Sequence, residues 1–299
     1  MQNNNPQPIK GILWMVLTGL LFVGVTAIVR ITGPQVPAAE AAFLRYSIGL
    51  VFLLPLMRPL MRARPTVRQI KVFALRGAFH TVGVALWFYA MVHIPLQDVT
   101  AMNYLSPVYV TLGAALFLGE KLALRRILAI AVALVGVMII LRPGVREVGD
   151  GHLAMLIATM AFAGSFLTGK MVSDESDPAL VVAMLSVTVA IGLAPLAALN
   201  WVTPTWTTLG LLTLTAFVAT LGHYTMTLAF AAAPLTVTQP VTFLQLIWAV
   251  ALGTTFFGEA FDLWVLVGGA VILGAISFMT WREAQINRRV TPTATATKV

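Results

Sequence analysis

Pro95-Leu96-Gln97-Asp98-Val99-Thr100-Ala101-Met102-Asn103-Tyr104 opens a stretch that closes on Phe117-Leu118-Gly119-Glu120. A second stretch opens on Pro234-Leu235 and closes on Phe256-Phe257-Gly258-Glu259. Pro95 to Glu120 and Pro234 to Glu259 are both separations of 25 residues, with no gap between the copies. Leu105 matches Leu244, Phe117 matches Phe256, and Tyr104 stands opposite Phe243. Each copy is nearly uncharged, long enough as a helix to cross a bilayer, and followed by another apolar run. The offset of 139 residues is close to half of the 299-residue chain, so the chain reads as two copies of one structural half.

Composition identifies the solvent. The chain is 59% hydrophobic and 10% charged, where a soluble domain carries about 25% charged residues. Its mean hydropathy is +0.90. Such a chain cannot cover itself with a water-soluble surface, so it is read as lipid-embedded. A membrane helix needs about 20 apolar residues. Runs of that kind lie near 9–29, 38–57, 70–92, 95–117, 122–141, 152–172, 179–199, 206–230, 234–257 and 262–281. The connections leave no room for a soluble domain. Barrel strands would be about 10 residues long with strict alternation, and that pattern is absent. The expected fold is therefore an all-α integral membrane protein with ten transmembrane helices. Residues 1–145 form a first five-helix repeat, 146–285 a second and inverted one, and 286–299 a disordered cytoplasmic tail.

The net charge of +8 reads as the positive-inside signal rather than as a nucleic-acid surface. With the N-terminus in the cytoplasm, 15 of the 19 basic residues fall inside, among them Arg58, Arg62, Arg64, Arg68, Lys71, Lys121 and Arg125. Arg30, Arg45, Arg142 and Arg146 fall outside. The C-terminus is then cytoplasmic as well. The first run is too long for a signal-peptide core of about 7–15 residues, so it is expected to remain as a helix. There is no cysteine, which excludes a disulfide framework and a thiolate site.

Five helices is an odd number, so the second half must enter the membrane upside down. The charges agree. Lys121, Arg125 and Arg126 follow Glu120, whereas Ala260-Phe261-Asp262 follows Glu259 with no basic residue. Inverted repeats are how many secondary transporters build two alternating openings around one midplane site.

Candidate site residues follow from depth and helical spacing. His80 lies near the bilayer centre of the third run, Trp87 seven residues on along the same face, and Gly83 opens space between them. A mid-depth histidine is costly against lipid, so it faces protein or a water-filled cavity. The alternative is a core histidine bonded to a neighbouring helix. In the fourth run Pro107 removes a backbone donor and frees the carbonyl of Asn103, marking a hinge, a carbonyl ligand or a simple kink. Asn103 and Tyr104 are polar contacts there. Phe162 and Ser165 are candidates in the sixth run, His223 and Tyr224 in the eighth, and Thr242, Gln245 and Trp248 in the ninth. Gly83 and Pro107 are the gating or hinge candidates. Arg45 is read as a charge snorkelling to the outer headgroups, with a binding role as the alternative. Trp14 is read as an aromatic-belt anchor before a ligand. Ala129, Ala133 and Gly136, with Gly269, Ala270 and Gly274, suit close helix packing.

The chain resembles the drug/metabolite transporter superfamily, in its ten-helix EamA-like branch of exporters. The resemblance rests on Ala42-Phe43-Leu44-Arg45-Tyr46, His93-Ile94-Pro95-Leu96, Leu118-Gly119-Glu120-Lys121 and Gly258-Glu259, in this order on ten hydrophobic runs. Within the branch it is similar to YddG-type amino-acid exporters. The resemblance implies a bacterial inner-membrane location and cytoplasmic termini. It also implies a central cavity lined by runs 1, 3, 4, 6, 8 and 9, with runs 5 and 10 as supports. All eleven acidic residues sit at helix ends or in loops. The membrane glutamate of the small multidrug resistance relatives, which exchanges protons for cationic drugs, is missing.

These features together point to a secondary transporter exporting amino acids, aromatic and other neutral ones, or similar small metabolites. It would work by alternating access as a downhill facilitator, and as a monomer rather than a dimer. The alternatives are a proton-coupled multidrug or metabolite exporter and a non-transporting membrane scaffold. No cofactor, metal, catalytic residue or nucleic-acid partner is expected. An enzyme would need a carboxylate or metal set beside His80 or His223, and none accompanies them.

Overall fold

The computed structural model describes residues 7–53, 65–117, 124–145, 147–173, 176, 178–233 and 235–290. Arg58, Arg62, Arg64, the Leu118–Lys121 signature with Glu120, Arg146, Asp174, Glu175, Asp177, Pro234 and the tail beyond Val290 lie outside the described residues. Among the described residues there are twelve helices and no strand. They are α1 Pro8–Thr32, α2 Ala38–Leu53, α3 Val67–His93, α4 Leu96–Asn103, α5 Ser106–Phe117 and α6 Leu124–Leu141, then α7 Asp150–Ser173, α8 Pro178–Leu199, α9 Trp206–Ala232, α10 Leu235–Val241, α11 Phe243–Phe256 and α12 Leu263–Val290.

Six helices are long and apolar enough to cross a membrane: α1, α3, α6 and the apolar segments of α7, α9 and α12. Shorter apolar segments lie at 183–199 and 243–256. The protein is an all-helical, multi-pass membrane protein. α12 continues to Val290, past the point at which the tail was expected to begin.

The two matched stretches each form two helices instead of the single run expected of them. The first breaks at Tyr104-Leu105 and the second at Thr242. Pro107 has no N–H to offer the carbonyl of Asn103, and Pro240 likewise lacks a donor inside α10. The proline positions are not equivalent in the repeat, yet both copies break near the same place.

Packing follows the repeat. α3 lies along α7 and α1 along α9, while α2 pairs with α8 and α6 with α12. With α1 matching α7 and α3 matching α9, the α3–α7 contact recurs as α9–α1, and the other two pairs join counterparts. α1 begins where α9 ends, the Gln7 N–H donating to the Ala232 carbonyl at 2.9 Å. α7 begins where α3 ends: a Cβ on Gly151 would stand 2.6 Å from Ile94. The counterparts α1 and α7 therefore start at opposite ends of the bundle.

α6 and α12 touch backbone to backbone. A Cβ on Gly136 would lie 2.8 Å from the Gly268 carbonyl oxygen, and one on Gly268 would lie 2.6 Å from that of Gly136. Gly268 thus does the work expected of Gly274, while Gly269 serves close packing as expected, against another helix. Gly269 faces Leu246, and nothing lies within 4 Å of a Cβ on Gly274. Hydrogen bonds and ion pairs gather the connections 33–37, 94–95, 142–145, 147–149, 200–205 and 257–262 at one end of the bundle.

Candidate functional site

His80 stands at the middle of α3 and ties three helices together. Its Nε2 lies 2.9 Å from the Tyr46 hydroxyl of α2. Its Nδ1 lies 3.1 Å from the Ser165 hydroxyl of α7. One ring nitrogen donates and the other accepts, and the two rotatable hydroxyls complement either tautomer. Both nitrogens are thus taken by protein, which leaves the ring faces of His80 for packing. That ring packs on Phe162 at 5.1 Å, and Phe162 meets Trp87 edge-on at 6.3 Å. Tyr46 meets His80 edge-on at 6.1 Å and carries the Arg45 guanidinium over its other side at 4.3 Å. Tyr46, His80, Phe162 and Trp87 therefore form one arc of rings across α2, α3 and α7.

Gly83 is the seat of this arc. It lies within the unbroken α3, and a Cβ there would stand 2.7 Å from the Phe162 ring. Arg45 does not snorkel outward as expected. It is 9% exposed, because its face of α2 is covered by protein.

His223 is exposed within α9 and meets Phe22 of α1 edge-on at 5.1 Å. Tyr224 does not join it. One residue on, and so about 100° around the helix, it is 61% exposed on the face that carries Leu214 and Phe217.

The remaining candidates gather at the two helix breaks. The Tyr104 hydroxyl donates to the Thr242 carbonyl at 2.8 Å, joining the break in the first copy to the break in the second. That carbonyl also accepts from the Gln245 N–H at 2.9 Å. Gln245 and Trp248 lean on α1, where a Cβ on Gly19 would stand 3.4 Å from the Gln245 Cβ and 2.9 Å from the Trp248 ring. Asn103 ends α4 with an exposed side chain, and Pro107 is the second residue of α5, just past the break. Tyr46, Trp87, Tyr104 and Phe162 all pack against one continuous core.

One end of the bundle is closed by polar contacts. Arg30 Nη1 donates to the carbonyls of Met91 and Val92 at 3.0 Å and of Ile94 at 2.8 Å, where the α3 dipole favours a cation. Its Nη2 lies 3.5 Å from the Glu259 carboxylate. Glu259 accepts from the Leu96 N–H at 2.9 Å, capping α4. Gly258 makes this possible: its φ of +63° turns the chain back after α11. Gln97 donates to the Ala260 carbonyl at 2.9 Å, and Asp98 pairs with His152 at 3.0 Å. Arg142 pairs with Asp262. The helix-end acids Glu40 and Asp98 are fully buried. Burial pushes the Glu259 carboxyl above its ordinary value, while the Leu96 N–H and Arg30 pull it back. A surface cleft of about 310 Å³ beside His152 is lined by Tyr89, His93, Glu147 and Asp150.

Sequence reasoning missed Tyr46, Arg30, Asp98 and His152. A tyrosine in an apolar helix carries no periodic signal, although Tyr46 follows Arg45 directly. Arg30 and Glu259 are separated by most of the chain, so their pairing is legible only in three dimensions. Among the described residues no group of three or more His, Asp or Glu comes together that could hold a metal ion.

A model of the EamA-like transporter family matches the chain twice, over residues 9–142 and 150–281. A riboflavin transporter of Rhizobium johnstonii is 30% identical over 284 residues, covering 94% of each chain. A pseudopaline exporter of Pseudomonas aeruginosa is 28% identical over 271 residues, 89% of this chain and 94% of the relative. An S-adenosylmethionine uptake transporter of Rickettsia bellii is 26% identical over 276 residues, 91% of this chain and 94% of the relative.

Proposed function

Since the chain belongs to the EamA-like transporter family, we propose that it moves small organic solutes through the space beside the His80 arc by alternating access. The topology is ten crossings in two inverted halves, 1–145 and 146–285, with both termini in the cytoplasm of a bacterial inner membrane. It acts as a monomer in lipid. The finer reading is export of aromatic and other neutral amino acids or metabolites of similar size, driven by the solute's own gradient. The site residues of this reading are His80, Trp87, Phe162, Ser165 and His223 on the long helices. Asn103, Tyr104, Thr242, Gln245 and Trp248 serve it at the breaks, and Pro107 loosens α5.

The observation that carries the proposal is the Tyr104–Thr242 bond. It joins two broken helices that are counterparts in an inverted repeat, where a transporter of this design holds its solute. Broken helices leave backbone groups that protein, water or solute must satisfy. Outward of them one end is sealed by the Arg30–Glu259–Leu96 contacts, while Asn103 and His223 remain exposed. The relatives are named for three different solutes and for both export and uptake, which supports the solute class more than any one cargo or direction.

A proton-coupled exporter is the second reading. The buried Asp98–His152 pair favours it, since two titratable groups sit within the sealed end. Uptake of labelled phenylalanine, methionine and riboflavin into liposomes holding the purified protein tests both readings. Uptake that ignores an imposed pH gradient supports the facilitator. Uptake that requires the gradient supports proton coupling. No uptake of any solute counts against both.

A further inference from the structure

The arc of rings is flanked at its two ends by buried donors that have no acceptor. Arg45 Nε and Trp87 Nε1 are both shielded from solvent, and neither has a hydrogen-bond partner among the described residues. Arg45 lies seven residues from the start of α2, and Trp87 six residues from the end of α3. At 1.5 Å per residue both are about 10 Å from the same, sealed end of the bundle. The ring contacts Arg45–Tyr46, Tyr46–His80, His80–Phe162 and Phe162–Trp87 connect them without a gap.

A buried guanidinium normally has a carboxylate partner, because an unpaired charge away from water is costly. Glu40, the acid on the same helix, spends its Oε2 on the Val202 N–H at 2.9 Å. No ion pair of Arg45 with an acid occurs among the described residues. Stacking on Tyr46 fixes the guanidinium plane and leaves its N–H edge available, the geometry in which arginine grips a planar or tetrahedral oxyanion.

We infer that the solute itself supplies the missing acceptor: it carries an anionic oxygen group, carboxylate or phosphate, that docks on Arg45 while its planar body lies along the ring arc toward the Trp87 N–H at the far end. This deepens the transport reading and rests on it. His80, with both ring nitrogens engaged by hydroxyls, has no free donor for such a group, so Arg45 is the residue that decides between an anion and its neutral isostere.

The test compares N-acetylphenylalanine with its uncharged amide as ligands of the full-length purified protein, read by thermal stabilisation. The carboxylate is expected to stabilise at a concentration roughly ten- to hundredfold below the amide, as a charge-assisted hydrogen bond implies. Arg45→Gln abolishes that preference, Arg45→Lys keeps part of it, and Trp87→Phe weakens binding of acid and amide alike. The wild-type comparison stands even if a variant fails to fold. Phenyl phosphate, run in parallel, identifies phosphate as the head group if it acts at lower concentration than the carboxylate, and carboxylate if it does not. Equal action of acid and amide, action of neither, or a preference that survives Arg45→Gln overturns the inference. Uptake of neutral riboflavin into liposomes from the same preparation separates the two ideas. Uptake without anion preference removes the Arg45 site alone. Anion preference without uptake of any solute keeps the site and removes transport.

Discussion

The Glu259 carboxylate caps the Leu96 backbone N–H at 2.9 Å, so the residue that closes the second matched stretch holds the second residue of the first. The contact gives the Gly258-Glu259 pair that closes the second stretch a structural role. Gly258 adopts the left-handed conformation that turns the chain, and Glu259 then reaches across the pseudo-twofold axis into the other half. Replacing Glu259 with alanine leaves the Leu96 N–H without its acceptor and removes the ion pair of Arg30, a loss of about 1–3 kcal/mol. The melting temperature falls, and a cysteine introduced as Gln97→Cys reacts faster with a maleimide than it does with Glu259 intact. The natural chain has no cysteine, so the labelling reports that position alone. Unchanged labelling would show that Glu259 does not hold this end closed.

The same carboxylate gives a pH dependence of definite sign. Its affinity for a proton is raised in the folded protein, chiefly by burial. The folded state therefore binds that proton more tightly than the unfolded chain. The contribution to stability is fully present below the ordinary carboxylate value and is lost as pH rises through the raised one. The melting temperature of the wild type is expected to rise relative to that of Glu259→Gln as pH falls from 7 toward 4. A constant difference across this range would contradict the assignment.

His80 acts as a strut as well as a wall. Tyr46→Phe and Ser165→Ala each remove one of its hydrogen bonds, worth about 0.6 kcal/mol in a membrane protein. Each variant should therefore fold nearly normally. His80→Ala and Trp87→Ala impair uptake at normal protein level. Normal transport by both would take α3 out of the site.

Two glycine substitutions separate packing from chance. Gly136→Ala drives a methyl into the backbone of α12, at a cost of about 1–3 kcal/mol. Gly274→Ala meets open space and leaves the melting temperature within measurement error. Equal effects would show that α6 and α12 do not meet through Gly136 and Gly268.

Much of the fold was legible because lipid imposes one simple rule: apolar runs of the right length become helices. The repeat, and the opposite senses of α1 and α7, follow from the Pro95–Glu120 and Pro234–Glu259 match. The helix breaks were only half legible. Pro107 marks the first, but the second sits at Thr242, beyond Pro240, where no residue announces it. In the site, His80, Phe162 and Trp87 do come together, since residues seven apart share a helical face. Tyr224 was grouped with His223 as its neighbour in sequence, yet one residue is enough to turn it outward. Arg45 was legible as a charge and not as a buried one, because its cover comes from helices remote in sequence.

The most direct measurement is uptake of labelled phenylalanine, methionine and riboflavin into liposomes holding the purified protein, compared with protein-free vesicles and with Trp87→Ala. The account predicts uptake of at least one solute by the wild type, and its loss in the variant at equal reconstituted protein. Uptake no faster than in protein-free vesicles for every solute, with a positive-control transporter active in the same lipid, would contradict it.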